Sequence, residues 1–311
     1  MGRHLAHEPQ SPRWERFALD LVCIRPAIAP NPLISVVVPS YNRAGLIGRT
    51  VTSVLAQTLD RFELIIVDDG STDETLAVLA GFSDPRIAVF QQPNRGAPVA
   101  RNAGVAMARS PLIAFQDSDD EWQPGLLSAH VEALATADVA FCQLEQVYGT
   151  ARSLYPPTAW QLSEDVYAQL LGSSHISTQT LAMTRAIFQR VGGFDPAMPR
   201  LQDWDLVLRL AEAGARFHYI AEPLATAHDS PDSLTRSVEK GIIARRRLIE
   251  KHGPALLRQP QVLAFHHHVM GSQLRRLGRF GEAKAQFAMA LRLAPGQWRS
   301  AAQWLLAAVG R

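Results

Sequence analysis

The chain has 311 residues, of which 47% are hydrophobic and 19% are charged, a composition that excludes disordered, collagen-like and low-complexity classes. This length fits one large domain or two modest ones, and it can bury a core without staples. The formal net charge is +2. The chain has two cysteines, Cys23 and Cys142, too few for a disulfide framework or a Cys-rich zinc site, and this favours a reducing compartment.

Residues 1–32 form a weakly patterned, Pro-rich N-terminal extension. Five prolines in this stretch predict an extended lead-in, with a short helix around residues 14–21.

Residues 33–115 alternate between short apolar, β-branched runs and segments with helical spacing of apolar residues. Predicted strands and helices follow one another in the order 33–38 (strand), 46–59 (helix), 62–67 (strand), 71 onward (helix), 86–91 (strand), 97–109 (helix) and 112–115 (strand). Such alternation predicts an α/β fold, a Rossmann-like and mostly parallel sheet with helices on both faces. Ligands of these sheets bind beyond the carboxyl ends of the strands, where three polar loops converge here, two of them rich in aspartate.

The second half of the chain gives weaker signals. We predict a helix from Pro124 to about residue 136, a strand over 139–147, a loop over 149–160 and a strand over 177–183. A turn at 191–195, a helix over 203–213 and helical pattern from 236 onward complete the prediction.

The charge changes sign near residue 236. Residues 236–311 carry 14 Lys and Arg against 3 Asp and Glu, a net +11, whereas residues 1–235 carry −9. This basic segment, with arginine clusters at 245–247 and 275–276, predicts either contact with an anionic surface or solvated helix faces. Residues 271–295 also match one tetratricopeptide-like helix pair, and a plain helical hairpin is the alternative.

Asp117 and Asp119 follow the fourth predicted strand, two positions apart, so that their side chains point to the same side. Mg²⁺ and Mn²⁺ prefer one or two protein carboxylates together with substrate phosphates, so the pair predicts a metal–diphosphate site. Aspartates that cap a helix before Pro124 are the alternative. Phosphate-loop, dinucleotide, nucleophile-elbow and HExxH motifs are absent from the sequence.

Five motifs in order make residues 34–122 resemble a family 2 glycosyltransferase of the GT-A fold. They read SVVVPSYNR at 35–43, VDDGSTD at 67–73, NRG at 94–96, ARNAG at 100–104 and FQDSDD at 115–120. The resemblance continues more loosely to about residue 235. It implies three parts, namely an N-terminal extension (1–32), a GT-A domain (33–235) and a basic helical C-terminal segment (236–311).

The resemblance implies a role for each matching residue. Asp117 would hold the ribose, Arg101 would lie near the ribose or diphosphate, and Asp119 would bind Mn²⁺ or Mg²⁺. The nucleotide base would be bordered by the turn that contains Pro39 and Tyr41, and by Asp69. For Asp68 we favour hydrogen bonds to local amides instead.

The resemblance also places the catalytic base. In members of the family, the base is the Asp of a Glu-Asp pair at the start of a helix. The pattern is matched here by residues 202–210, QDWDLVLRL, with Asp203 as the base and Gln202 in place of the usual Glu. His228 resembles a late histidine near the metal, although the Tyr-Arg that often precedes it is missing. Three consecutive histidines at 266–268 face different directions on a helix and make a poor metal site. Trp160 and Trp204 are either sugar platforms or core residues.

We therefore predict an inverting, metal-dependent glycosyltransferase that moves a sugar from a nucleotide-diphosphate donor, a UDP-sugar, to a hydroxyl acceptor. The expected acceptor is a surface glycan or its lipid-linked precursor, and no nucleic-acid partner is expected. The alternative is a non-catalytic nucleotide-sugar or glycan binding module. Since no apolar run reaches the roughly 18 residues of a membrane helix and the N-terminus lacks a secretory signal, we expect a cytoplasmic protein with peripheral contact to anionic membrane.

Overall fold

The structure is a computed structural model that describes residues 17–18, 20–28, 31–229, 237–296 and 298–308. In these residues ten strands form one sheet, namely β1 (Val22–Arg25), β2 (Ile34–Ser40), β3 (Phe62–Asp68), β4 (Ile87–Gln91), β5 (Leu112–Phe115), β6 (Glu121–Trp122), β7 (Val139–Tyr148), β8 (Ala151–Tyr155), β9 (Leu181–Thr184) and β10 (Phe217–His228).

Twelve α-helices of the described chain surround the sheet. They are α1 (Ile47–Leu55), α2 (Thr75–Ala80), α3 (Ala97–Met107), α4 (Leu126–Ala133), α5 (Val166–Gly172), α6 (Arg185–Arg190), α7 (Gln202–Glu212), α8 (Val238–Lys251), α9 (Gly253–Leu257), α10 (Pro260–Arg276), α11 (Phe280–Leu293) and α12 (Trp298–Ala308).

The strand order is β1-β4-β3-β2-β5-β9-β7-β10-β6, with β8 beside β7. Strands β4, β3, β2 and β5 are parallel, as the alternating pattern predicts. Beyond β5 the sheet is mixed, because β9 runs antiparallel to both β5 and β7 while β10 runs parallel to β7. The predicted α/β fold with a central sheet is therefore confirmed, and its parallel part is the N-terminal half.

Apolar residues fill both faces of the sheet. On β2, Val37 packs into one core with α3, whereas Val36 and Val38 pack into the other with α1 and α4. At Gly104 of α3, an added Cβ would lie 2.4 Å from a methyl of Val37, so only glycine allows α3 to pack this closely on β2. Helices α7 to α10 join the same core as α3, which brings the C-terminal helices against the GT-A-like part of the chain.

Three local predictions differ from the structure. Residues 151–155 of the predicted loop form β8, which pairs with β7, so that prediction is wrong there. Only the end of the predicted 177–183 strand is extended, since Thr178–Thr180 form a 3-10 helix before β9. The N-terminal extension contributes β1, an edge strand on β4. The helix predicted at 14–21 lies largely outside the described residues.

In the described residues, the basic C-terminal segment consists of helices α8 to α12, joined by short turns. Helices α10 and α11 form a hairpin in which the Phe287 ring lies against Gly271, where an added Cβ would come within 2.7 Å of the ring. Both the tetratricopeptide-like unit and the domain boundary at 236 stay predictions. In the described residues no helix is long and apolar enough to cross a membrane.

Candidate active site

Loops at the carboxyl ends of β2, β3, β4 and β5 meet, as predicted, at one edge of the sheet and enclose a cavity of about 720 Å³, here called the first cavity. Its lining consists of Pro39, Ser40, Tyr41, Asn42, Arg43, Asp69, Asn94, Gly96, Ala97, Arg101, Asp117, Ser118, Asp119 and Lys240. Of the eight predicted site residues, six line this cavity. Asp203 and His228 do not.

Two neighbouring aspartates at the end of β3 have different surroundings. Asp68 accepts hydrogen bonds from Ser71 and from Gln91 Nε2, which matches the expected local role. Asp69 accepts from Gln92 Nε2 at 2.7 Å and from the backbone N–H groups of residues 95 and 96 at 2.9 and 2.7 Å. Asp69 therefore fixes the loop that enters α3 while its carboxylate faces the cavity.

Arg101 connects the first cavity to the start of α7. Its guanidinium donates to Asp117 Oδ1 at 2.6 Å and to Gln202 Oε1 at 3.0 Å, and it lies over the Phe194 ring at 5.2 Å. Arg101 is buried, and its hydrogen bond to Gln202 is shielded from water, whereas the one to Asp117 is only partly buried. One side chain thus fixes the position of Asp117 relative to the residue that precedes the predicted base.

Asp119 lies beside the carboxylates of Asp117 and Asp120, with Arg43 and Arg49 as nearby cations. Burial and the neighbouring Asp117 charge raise the pKa of Asp119, and the nearest cation, Arg43 Nε, is 4.0 Å from its Oδ2. Burial, followed by the charges of Asp117 and Asp119, also raises the pKa of Asp120. Since a divalent cation would relieve this repulsion and oxygen ligands suit Mg²⁺ and Mn²⁺, the residues present fit such an ion.

The predicted metal ligand His228 has a different neighbour. Its Nε2 lies 2.8 Å from Glu121 Oε1, and its backbone N–H donates to Asp120 Oδ1 at 3.0 Å. In the described part of the chain, no group of three His, Cys, Asp or Glu side chains is arranged to hold a metal ion. Ligation by His228 stays a prediction.

Asp203 lies in the first turn of α7, just after Leu201, which has a left-handed backbone with φ of 58°. Its Oδ1 accepts from the backbone N–H of Trp204 at 2.8 Å. Burial raises the pKa of Asp203, while the positive charge of Arg101 acts in the opposite direction. A carboxylate with a raised pKa is a stronger proton acceptor, as a general base requires.

Asp203 lines a second cavity of about 290 Å³, which is adjacent to α7. The remaining residues around it are Tyr155, Gly172, Ser173, Ser174, Ile176, Ser177, Leu201, Trp204, Arg245 and Phe265. All residues around the second cavity come from five separate segments of the chain. Apart from Asp203 and Trp204, none of them belongs to a predicted site motif.

The C-terminal helix α8 reaches both cavities. Lys240 lines the first and Arg245 lines the second, and neither was predicted as a site residue. Lys251 near the end of α8 anchors the helix, because its Nζ lies 2.7 Å from Oδ1 of the fully buried Asp205. No motif marks these residues; their only sequence signal is the positive charge of the segment.

The remaining sequence candidates have structural roles. Trp204 is buried and donates from its indole N–H to the Leu170 carbonyl at 2.6 Å, and Trp160 packs edge-on against Tyr219. The three histidines face different partners, as expected: the Leu171 carbonyl and Arg245 for His266, Gln286 for His267 and Ser300 for His268.

The arginine cluster at 245–247 does not form one exposed patch. Arg245 faces the second cavity, Arg247 donates to the Ala197 carbonyl, and Arg246 lies 3.4 Å from Glu282 on the surface. Two of the three thus pack on the protein, in line with arginine stems covering apolar surface. Membrane contact stays a prediction.

Comparison with known proteins identifies the family. The sequence pattern described as Glycosyl transferase family 2 matches residues 35–192, about half of the chain. The chain belongs to glycosyl transferase family 2. It is 34% identical over 179 residues to an uncharacterized glycosyltransferase of Nostoc sp., covering 54% of this chain and 56% of that protein. It is 30% identical over 193 residues to the chondroitin synthase of Pasteurella multocida, covering 60% of this chain and 20% of that enzyme.

Two solved structures share the fold. TarS of S. aureus in complex with UDP-GlcNAc aligns with a TM-score of 0.63 and 18% identity, covering 88% of this chain and 90% of that one. The mannosyltransferase PcManGT of Pyrobaculum calidifontis, in complex with GDP-Man and Mn²⁺, aligns with a TM-score of 0.59 and 19% identity, covering 96% and 85%. The chain spans just over half the length of the Nostoc relative, and at these identities the structures establish the fold.

Proposed function

We propose that this chain is a metal-dependent, inverting glycosyltransferase that transfers a sugar from a nucleotide-diphosphate donor to a hydroxyl group. The observation that carries the proposal is Arg101, because it binds Asp117 in the first cavity and Gln202 beside Asp203. A donor site and a proton acceptor are thereby joined through one buried side chain. The donor is proposed to be UDP-linked, and the acceptor a surface glycan or lipid-linked precursor in polysaccharide biosynthesis. The likeness to structures holding UDP-GlcNAc or GDP-Man and to a chondroitin synthase supports this choice.

The first cavity is proposed to bind the donor. Tyr41, whose ring is 44% exposed, and Pro39 would border the base together with Asp69. Asp117 would accept from the ribose hydroxyls. Arg43 and Lys240 would place positive charge near the diphosphate, which carries negative charge before and after transfer.

Asp119 would hold Mn²⁺ or Mg²⁺, with His228 as the second proposed ligand. When bound, the cation supplies positive charge that stabilises the leaving diphosphate. Without it, burial and, after that, repulsion from Asp117 keep the pKa of Asp119 raised.

Asp203 is proposed to act as the general base. The acceptor oxygen forms a bond to the anomeric carbon from the face opposite the diphosphate, and its proton passes to an Asp203 oxygen. The bond between the anomeric carbon and the diphosphate oxygen breaks, and the nucleoside diphosphate leaves with the electron pair. The configuration at the anomeric carbon is inverted because attack and departure occur on opposite faces.

Thermal unfolding with UDP, GDP, ADP and CDP, each with and without Mn²⁺, tests the donor site. Binding to the folded state adds about 2.7 kcal/mol at 100 times the Kd, so we expect the preferred nucleotide to raise Tm only when Mn²⁺ is present. Hydrolysis of the corresponding nucleotide sugars, with release of the nucleoside diphosphate, then tests catalysis. Nucleotide binding without hydrolysis or transfer would instead indicate a binding module, and absence of nucleotide binding would contradict the donor site.

A further inference from the structure

The second cavity contains a cation that no carboxylate of the described residues contacts. Arg245 lines the cavity, and its guanidinium lies over the Trp204 ring at 5.2 Å. Its NH1 donates to His266 Nδ1 at 2.9 Å, while its Nε is buried without a hydrogen-bond partner. Among the described residues, no carboxylate lies within 4.0 Å of the Arg245 guanidinium.

His266 orients Arg245 without neutralising its charge. Burial lowers the pKa of His266 to about 4, so the ring is neutral at physiological pH. Its Nε2 lies 2.8 Å from the Leu171 carbonyl, which can only accept, so Nε2 carries the proton and Nδ1 accepts from Arg245. Burial also lowers the pKa of Arg245 to about 10, which still leaves it protonated at neutral pH.

Arg200 adds a second positive charge nearby. The Arg200 charge lowers the pKa of Arg245, which shows that the two guanidinium groups interact. Arg200 donates to the Ser237 carbonyl at 3.4 Å, its Nε is buried without a partner, and the charge of Asp203 acts on it. Asp203, the proposed base, is the carboxylate that lines the cavity with Arg245, and Arg200, outside the lining, adds a second positive charge that interacts with both.

Three other cations in the described residues, in contrast to Arg245, are paired with carboxylates. Arg101 binds Asp117 at 2.6 Å, and Arg209 and Lys251 both bind Asp205 at 2.7 Å. Removing a guanidinium from water costs several kcal/mol unless an anion compensates for it. An anionic ligand in the second cavity would supply that compensation, and a guanidinium can bind a phosphoryl or carboxylate group in a bidentate manner.

We propose that the second cavity is the acceptor subsite and that it selects acceptors carrying a phosphoryl or carboxylate group, which Arg245 binds while the reacting hydroxyl faces Asp203. This inference rests on the proposed function, because it takes Asp203 as the base. A volume of about 290 Å³ is at the small end of ligand cavities and suits one charged sugar unit. The aromatic ring of Phe265 and the seryl groups at 173, 174 and 177 provide the apolar and polar walls that such a unit needs.

Isothermal titration with four probes tests the charge preference. With the preferred nucleotide and Mn²⁺ present to fill the first cavity, the protein is titrated with methyl β-glucoside, methyl 6-phospho-β-glucoside, methyl β-glucuronide and the methyl ester of the glucuronide. We expect at least one charged probe to bind about tenfold or more tighter than the uncharged ones, the scale of one charge-assisted hydrogen bond. The ranking of phosphate against carboxylate distinguishes the two sources of the anion.

Arg245→Gln should reduce this preference to less than about threefold, whereas Arg245→Lys should retain part of it because the charge remains. Arg246→Gln is the matched control, since it removes the next arginine of the same helix, which faces Glu282 on the surface. It should leave the preference unchanged. Equal binding of charged and uncharged probes by the unmodified protein would overturn the proposal, even if the Arg245→Gln protein failed to fold. A preference for charged probes that persists in a folded Arg245→Gln protein would also overturn it.

Transfer to the same probes separates this proposal from the proposed function. If no nucleotide binds and no probe is glycosylated, the proposed function fails. Titration of the probes without nucleotide still measures whether Arg245 confers a preference for charged probes. If neutral probes are glycosylated with the same kcat/KM as charged ones, the proposed function holds and the anionic subsite fails.

Discussion

The two cavities, which the Arg101–Gln202 hydrogen bond links at the start of α7, are built in different ways. The first is made by loops at the carboxyl ends of parallel strands, and its side chains include three aspartates. The second is made by segments from both halves of the chain, and its charged side chains are Asp203 and Arg245. Consecutive residues of α7 connect them, because Gln202 contacts Arg101 and Asp203 lines the second cavity.

This contrast indicates a division of labour. A carboxylate-rich cavity suits a cation and the ribose and diphosphate that accompany it, whereas an arginine beside a base suits an acceptor. Helix α8 contributes one cation to each cavity, Lys240 and Arg245, so the basic C-terminal segment completes both. Substitutions that affect one cavity without the other would sharpen this interpretation, and those that affect both equally would contradict it.

The largest effect is expected for Asp119→Ala. Loss of this carboxylate should abolish nearly all turnover and the Mn²⁺-dependent part of nucleotide binding, since the remaining aspartates cannot replace a metal ligand at the same position. Turnover and nucleotide-induced Tm shifts with and without EDTA measure this. Asp60→Ala, which removes an exposed carboxylate outside both cavities, is the control. Transfer by Asp119→Ala at a near-normal rate in EDTA would contradict the metal site.

Asp203→Asn should lower kcat by about 10² or more, the usual scale of general-base loss, and should leave nucleotide and Mn²⁺ binding largely intact. Burial disfavours the ionised form of Asp203, so the neutral amide should also raise Tm slightly at neutral pH. Asp165→Asn is the matched control, because asparagine can still cap α5 as Asp165 does. A parallel loss of nucleotide affinity would instead place Asp203 in the donor site.

Asp205→Ala should destabilise the connection between α7 and α8. Asp205 is fully buried and receives Lys251 and Arg209, so its removal leaves Arg209 without its anion and Lys251 with Asp195 alone. We expect the free energy of unfolding to fall by about 3 kcal/mol. This is the lower end of the range for breaking a buried ion pair, and it applies here because Lys251 is partly exposed. Urea unfolding measures this, with Lys251→Met as a milder variant that leaves Arg209 on Asp205. Unchanged stability of both would mean that α8 is held by its apolar contacts alone.

The same contrast explains what the sequence could predict. Strands β2 to β5 are continuous apolar runs that end in polar motifs, so both the strands and the first cavity follow from local pattern. The second cavity has no such signal, since Tyr155, Arg245 and Phe265 lie far apart in the sequence and meet only through packing. β8 is largely exposed and β10 only partly buried, which left them without the apolar run that marks a buried strand.

The pH dependence of kcat should report on Asp203. Because a base must be ionised and burial raises the pKa of Asp203 above the ordinary 3.8, kcat should fall about tenfold per pH unit below that raised pKa. The sign for stability is opposite, since the stabilising contribution of the protonated carboxyl is lost as pH rises through the same pKa. Saturating donor and Mn²⁺ keep Asp119 occupied during the measurement. An acid limb that is unchanged in the residual activity of Asp203→Asn would assign it to another group.

The smallest effect is expected for Gln202→Glu, which introduces the residue that the family usually carries. Glutamate can still accept from Arg101 and would turn this charge-assisted hydrogen bond into an ion pair, a difference of about 1 kcal/mol, so kcat should change by less than about tenfold. The added carboxylate lies next to Asp203, and Arg101 would be paired with both this carboxylate and Asp117. The extra negative charge should raise the pKa of Asp203 and so move the acid limb of kcat to higher pH. Gln202→Ala removes the acceptor altogether and should weaken nucleotide binding by loosening Arg101. If Gln202→Glu instead raised the donor KM as strongly as Gln202→Ala, the charge at residue 202 would affect donor binding more than the hydrogen bond to Arg101 does. The two cavities would then be coupled electrostatically rather than through the position of Arg101.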